Sequence, residues 1–212
     1  LAPGTGKTKT GRLWTYVRDD RPWGDTTPPA VLFRYSPDRK GERPREHLKA
    51  FIGILQADGY AGFDRLFAAG LTEAACWAHV RRKFYEIHLA DASPIAGEAL
   101  QRIGALYGIE REIRGQSADQ RRVVRQARAG PLLDAFHTWL RTTLMQVSNK
   151  SGLAGAIRYA LGRWAALTRY RDDGRIEIDN NAAERALRAV ALGRKNFLFA
   201  GADSGGERAA AI

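Results

Sequence analysis

Phe51-Ile52-Gly53-Ile54-Leu55-Gln56-Ala57-Asp58-Gly59 is an apolar run that stops on a carboxylate and a glycine. It predicts a short strand over 52–57, buried on both faces, ended by the turn pair Asp58-Gly59. Upstream, Leu13–Val17 and Ala30–Ser36 are rich in β-formers. The turn formers of Asp19–Asp25 separate them, so they predict a hairpin with a long connection. Downstream, a helix is expected from Arg45 to Phe51, entered through Pro44. A second is expected from Phe63 to Ala69, closed by Gly70. Glu73–Ala78 is a further strand candidate. The order β-β-α-β-α-β defines a mixed α/β layer with a partly parallel sheet.

Beyond Trp77 the apolar period changes from strand-like to helical. Helical spacing covers Val80–Leu89, 93–114, 117–128, 132–147 and 151–170. Ser117-Ala118-Asp119-Gln120 fits a capping box, and Gly130-Pro131 is expected to break one helix and start the next. Ile176-Glu177-Ile178 then leads into a helix beginning at Asn180-Asn181. The expected organisation is an α/β layer over 1–78, a helical insertion over 79–175, and a return to the α/β core over 176–212. Trp14, Trp77, Trp139 and Trp164 lie in apolar patterns and read as core.

The chain has 212 residues, with 34 Lys and Arg against 23 Asp and Glu, a formal net charge of +11. This excess points to a polyanionic partner, nucleic acid ahead of a membrane surface. No apolar run approaches the roughly 18 residues of a membrane span, and no signal peptide is evident. The lone Cys76 excludes an intramolecular disulfide and fits a reducing, cytoplasmic setting. The chain opens on Leu1-Ala2-Pro3-Gly4 and closes on Glu207-Arg208-Ala209-Ala210-Ala211-Ile212, which reads as an unfinished helix. The expectation is a segment of a longer protein.

Two acids stand out. Asp58 ends a strand, and Glu184 sits on the first turn of the helix in Ile178-Asp179-Asn180-Asn181-Ala182-Ala183-Glu184-Arg185. If the fold unites them, they form part of an oxygen-ligand site for a hard divalent cation. Each also has a plain structural reading. Asp-Gly is a common turn pair, and Glu184 can reach back to a cap amide at Asn181. Cys76-x-x-His79 lacks the second ligand pair that a structural zinc site needs, so Cys76 reads as a small buried hydrophobe. His79 reads as a supporting residue near the carboxylates. Basic clusters fall at Arg81-Arg82-Lys83, at Arg121, Arg122, Arg125 and Arg128, and at Arg185, Arg188, Arg194 and Lys195. The first and last suit phosphate contact. For Arg121 to Arg128, DNA contact and a solvated helix face are equally open.

Four motifs occur in order: Leu55-Gln56-Ala57-Asp58-Gly59-Tyr60, Cys76-Trp77-Ala78-His79-Val80-Arg81-Arg82-Lys83-Phe84, Ile178–Arg185, and Gly193-Arg194-Lys195-Asn196-Phe197-Leu198-Phe199-Ala200-Gly201. Together they resemble the bacterial insertion-sequence-sixty-six transposases over essentially the whole chain. The resemblance implies a ribonuclease-H-like mixed sheet, lacking its first strand, with a large all-helical insertion. It implies a DDE catalytic core for DNA cleavage and strand transfer, with Asp58 as the second catalytic Asp and Glu184 as the catalytic Glu. It further implies two Mg²⁺ (or Mn²⁺) ions, with DNA and a second copy of the chain as partners. In such a site the first Asp stands on a strand before the hairpin. Asp19, Asp20 and Asp25 lie in the hairpin connection instead, so the expectation is a segment inactive by itself. A ribonuclease-H-like nuclease or resolvase, and a basic DNA-binding helical module without chemistry, are the alternatives.

Overall fold

A computed structural model describes residues 9–196 and 201–211, with side chains described up to Arg188 and again over 201–211. The Gly- and Lys-rich start, Phe197-Leu198-Phe199 and the side chains of Arg194 and Lys195 lie outside the described residues.

Strand β1 (Arg12–Arg18) pairs antiparallel with β2 (Ala30–Ser36), in register from Arg12 opposite Ser36 to Arg18 opposite Ala30. Helix α1 (Glu42–His47) follows. It begins earlier than predicted because Pro44 fits inside the first turn, where its missing N–H costs no hydrogen bond. Strand β3 (Ile54–Ala57) crosses through α2 (Asp64–Ala68) to β4 (Thr72–Ala75), and β3 and β4 pair in parallel. Gly53 takes a φ of +124° and delays β3 beyond the predicted start at Ile52.

The sheet departs from expectation. In place of one partly parallel sheet, the described residues form two separate two-stranded sheets, β1-β2 and β3-β4. Strand propensity is local and was legible. Whether β1 and β3 bond depends on a backbone partner at each edge, which propensity does not report.

The predicted strand over 73–78 also ends early, at Ala75. Trp77 opens helix α3 (Trp77–Asp91), which buries Trp77, Val80 and Phe84 along one face. Helices α4 (Pro94–Glu112), α5 (Ala118–Val124), α6 (Gly130–Gln146), α7 (Gly152–Gly162) and α8 (Trp164–Thr168) follow. Ser93 and Ser151 cap α4 and α7 by accepting the amides of Ala96 and Ala154, and the Ser117–Gln120 capping box is formed.

Gly130-Pro131 does not break the chain as predicted. A π-helical turn over Arg125–Ala129 carries α5 directly into α6. Its wider turn accommodates a proline that has no N–H and would crowd the preceding turn of a regular helix. Conversely, the single helix expected over 151–170 is split, because Arg163 at φ −114° leaves helical geometry between α7 and α8. The chain returns through 172–180 to α9 (Asn181–Asn196) and α10 (Asp203–Ala210). Helix α9 lies against β1 and α10 against β2.

One apolar cluster runs from Ala74 and Ala75 on β4 through α3, α4, α6 and α7 to Ile176 and Ile178. Trp77, with no exposed surface, is at its centre. Its indole stacks on Phe136 at 6.0 Å, meets Trp164 edge-on at 5.7 Å, and donates through Nε1 to the Leu167 carbonyl at 2.8 Å. Its backbone N–H donates to the Ile178 carbonyl at 3.1 Å. The strand-to-helix junction is thereby tied to the segment that leads into α9. Among the four tryptophans read as core, Trp14, Trp139 and Trp164 are half-buried.

A candidate carboxylate cleft

Asp58 leaves the end of β3 as an Asx turn, with its Oδ1 accepting the Tyr60 N–H at 3.1 Å. Gly59 has a φ of +82°, a left-handed value that favours glycine. A Cβ there would stand 2.8 Å from the Tyr159 hydroxyl and 3.0 Å from Cζ of Arg163. Those two side chains hold the turn from α7 and its C-terminal junction. Tyr159 donates to the Asp58 carbonyl at 3.3 Å, and Arg163 Nη2 to the Gly59 carbonyl at 3.1 Å.

Glu184 is set by a different local device. Asp179 accepts the Asn181 N–H at 3.1 Å and the Asn181 Nδ2 at 2.8 Å, so it caps the start of α9. Tyr107 of α4 donates its hydroxyl to Asp179 Oδ2 at 2.9 Å, the oxygen that also accepts the Asn181 Nδ2. Burial, reinforced by the Asp179 charge, pushes the Tyr107 phenol far above its ordinary range. The cap amide that Glu184 was expected to seek is therefore already occupied. Its carboxylate instead faces His79 Nε2 at 3.7 Å and Arg82 Nη2 at 3.8 Å, both on the first two turns of α3. The plain capping alternative for Glu184 is not the one formed, because Asp179 already accepts the Asn181 amide.

Asp58 and Glu184 line one cleft of about 900 Å³. Every residue of β1 and of β3 lines it, whereas a strand face would contribute alternate residues only. The two strand edges therefore look at each other across the gap. Asp19 and Asp20, expected in the wrong place, also line this cleft. Both are neutralised nearby: Asp19 by Arg21 at 2.7 Å and Asp20 by Arg18 at 2.6 Å. The Arg21 hydrogen bond holds the Asp19 carboxyl below its ordinary range, and Arg185 adds to the effect. Asp25 is not on the cleft wall and accepts the Thr27 N–H at 2.6 Å.

Seven acids line the cleft, and five have close partners: Asp19 and Asp20 as above, Asp173 on Arg175, Glu177 on Arg121, and Asp179 on Tyr107 and Asn181. Asp58 forms no ion pair among the described residues, and Glu184 has only the two loose ones. The Asn180 Oδ1, on the same wall, is buried without a partner among the described residues. No three His, Cys, Asp or Glu side chains converge on a metal-sized point among the described residues.

Cys76 behaves as the small buried hydrophobe it resembled, with its sulfur accepting the Asn180 N–H at 3.4 Å. Burial pushes its thiol pKa up. Of the basic residues, Arg82 reaches Glu184, Lys83 stands over the Tyr159 ring at 4.6 Å and Arg81 over the Tyr85 ring at 5.7 Å. Arg185 and Arg188 are exposed on α9.

The Arg121–Arg128 cluster splits between burial and a solvated face. Arg121 and Arg125 are fully buried and pair with Glu110, and Arg121 also pairs with Glu177. Only Arg122 and Arg128 face solvent. Sequence reasoning also passed over Tyr107, Tyr159 and Arg163. Their partners lie so far away in the chain that no local pattern marks them.

The family model described as "Transposase IS66 family" matches residues 1–208, and the chain belongs to that family. It is 46% identical over 225 residues to the uncharacterized protein y4hP of Sinorhizobium fredii, covering 97% of this chain and 40% of that one. A second uncharacterized protein of the same organism, y4qI, is 44% identical over 220 residues, covering 100% of this chain and 41% of its own length. The chain thus spans about two-fifths of the curated relatives it matches. No solved structure matches it.

Proposed function

We propose that this chain is the catalytic core of a DDE transposase, and that Asp58 and Glu184 are two of its three metal-binding carboxylates. The observation that carries the reading is selective pairing. In a cleft lined by seven acids, five are engaged by close partners and these two keep oxygens for a cation. The donor set fits a hard ion, because carboxylate oxygens and the unpartnered Asn180 Oδ1 suit Mg²⁺ or Mn²⁺, which retain waters to complete their shells. Two such ions, when bound, would activate the attacking water or 3′-hydroxyl and neutralise the leaving oxygen.

The chain's own residues do the rest. Asp58 and Glu184 offer oxygens from opposite elements, His79 and Arg82 orient the Glu184 carboxylate, and Asn181 fixes the start of α9. Arg81, Arg82, Lys83, Arg185 and Arg188, with Arg194 and Lys195, would neutralise phosphates and position DNA without reading its sequence.

The facing edges of β1 and β3 support a ribonuclease-H-like sheet. One strand laid between them would give the continuous order β2-β1-x-β3-β4 and satisfy both open edges. The third carboxylate of a DDE set would stand on that strand. The division at 1–78, 79–175 and 176–212 is read as core, helical insertion and core. On this reading the protein works on DNA in the bacterial cytoplasm, as at least a dimer, because two element ends must be joined. No helix among the described residues is long and apolar enough to cross a membrane.

The test is strand cleavage by the protein at its full encoded length, on duplex oligonucleotides carrying the element end, with Mg²⁺ or Mn²⁺. Asp58→Ala and Glu184→Ala should each abolish cleavage while leaving duplex binding within about twofold. Cleavage that survives both substitutions would overturn the reading. Joining of a pre-cut 3′ end to target DNA separates a transposase from a nuclease or resolvase that only hydrolyses.

A further inference from the structure

We infer that the helical segment between β4 and α9 serves as the positioning frame for the cleft, with Arg163 as the positioning residue for Asp58. This rests on the metal-site reading of Asp58 and goes beyond it by assigning residues that touch neither metal nor DNA.

Arg163 stands where α7 gives way to α8, and three groups converge on it. Its Nη1 donates to Glu73 Oε1 on β4 at 2.6 Å. Its Nη2 donates to the Gly59 carbonyl at 3.1 Å, and its guanidinium lies over the Tyr159 ring at 5.5 Å. Tyr159 in turn donates to the Asp58 carbonyl. Two consecutive carbonyls after β3 are thus held by one helix end, and neither bond uses the Asp58 carboxylate. With the backbone fixed on one side and the Tyr60 amide holding Oδ1 on the other, the remaining oxygen of Asp58 is left for the cleft.

The fork geometry matters. A planar guanidinium can bridge a carboxylate and a carbonyl at once, whereas an ammonium is a point charge on a flexible stem. Groups that orient a metal ligand through its backbone or outer contacts typically change metal affinity by 10–100-fold when removed. The same segment contacts the second acid's support, because Tyr107 holds the Asp179 cap of α9. The insertion therefore touches the supports of both carboxylates, and through His79 and Arg82 of α3 it also stands 3.7 and 3.8 Å from the Glu184 oxygens.

The experiment compares wild type, Arg163→Met and Arg163→Lys at full encoded length. Mn²⁺ binding is followed by electron paramagnetic resonance of the free ion, and amide hydrogen exchange is followed over 56–62 and over the α3–α4 core. Arg163→Met should raise the Mn²⁺ Kd about tenfold or more and speed exchange at Gly59 and Tyr60. Core exchange and duplex affinity should stay at wild-type levels. Arg163→Lys should recover the melting temperature but not the Mn²⁺ affinity. Unchanged exchange at 56–62 in Arg163→Met overturns the inference. So does acceleration spread equally across the core, which would make Arg163 ordinary fold support. If wild type binds no Mn²⁺, the metal reading fails separately, and the exchange pattern still decides the positioning role.

Discussion

Arg125→Met removes the most completely enclosed cation among the described residues. Arg125 has no exposed surface and uses its whole fork. Nε and Nη2 donate to the two oxygens of Glu110 at 2.9 and 2.7 Å, and Nη1 donates to the carbonyls of Tyr170 and Asp173 at 2.8 and 3.0 Å. Methionine fills similar space, so the cavity term is small. The loss is electrostatic: among the described residues Glu110 keeps only Arg121 at 3.3 Å, and the Tyr170 and Asp173 carbonyls each lose one donor, the latter keeping the Ile176 N–H. Breaking one side of a buried pair costs about 3–5 kcal/mol. For a chain of this length each kcal/mol corresponds to about 2–4 °C, so the melting temperature should fall by about 6–20 °C. Urea unfolding followed by circular dichroism gives the free energy directly. Adding Glu110→Gln to Arg125→Met should cost less than the sum of the two single changes, because the stranded charge is gone. The double-mutant cycle should show coupling of about 1–3 kcal/mol. A loss below about 1 kcal/mol for Arg125→Met, or strict additivity in the cycle, would refute the claim that Arg125 and Glu110 form a strongly coupled buried pair.

Two other outcomes follow from the geometry. Gly59→Ala forces a side chain into a φ of +82° and into the Tyr159 hydroxyl and Arg163 guanidinium. It should cost about 1–3 kcal/mol by urea unfolding, and it should weaken Mn²⁺ binding with it. Cys76, Tyr107 and Tyr170 all have pKa values raised by burial. Below their unfolded values, about 8.5 for the thiol and about 10 for the phenols, both states keep the proton. Above them the unfolded chain gives it up first, so stability should be full near pH 7 and decline from about pH 8.5 upward. A flat denaturation midpoint from pH 8 to 10.5 would contradict this.

Much of the architecture was legible because it is local. The β1 and β2 runs, the capping serines, the period of α3 and the strand ending on Asp58 each rest on neighbours within a turn or two. The failures share a cause. Gly130-Pro131 looked like a break, yet a π-turn absorbs it, and that turn is bound to the burial of Arg125 against Glu110. A capping role was the open alternative for Glu184, and sequence could not show that Asp179, two residues before Asn181, takes that amide. Arg121 and Arg125 were indistinguishable from a solvated face because the acids that bury them belong to α4 and to the segment after α8.

The sequence alone therefore determined the family, a strand-to-helix change close to Trp77, and the candidacy of Asp58 and Glu184, since motif order and hydrophobic period are properties of the chain. Only the tertiary structure decided which of the seven acids in the cleft lack close partners among the described residues, and that the helical segment holds the turn after Asp58 and the start of α9. Charges are neutralised by whatever the fold brings within a few ångströms. For Glu177 and Glu73 those partners, Arg121 and Arg163, are brought from 56 and 90 residues away.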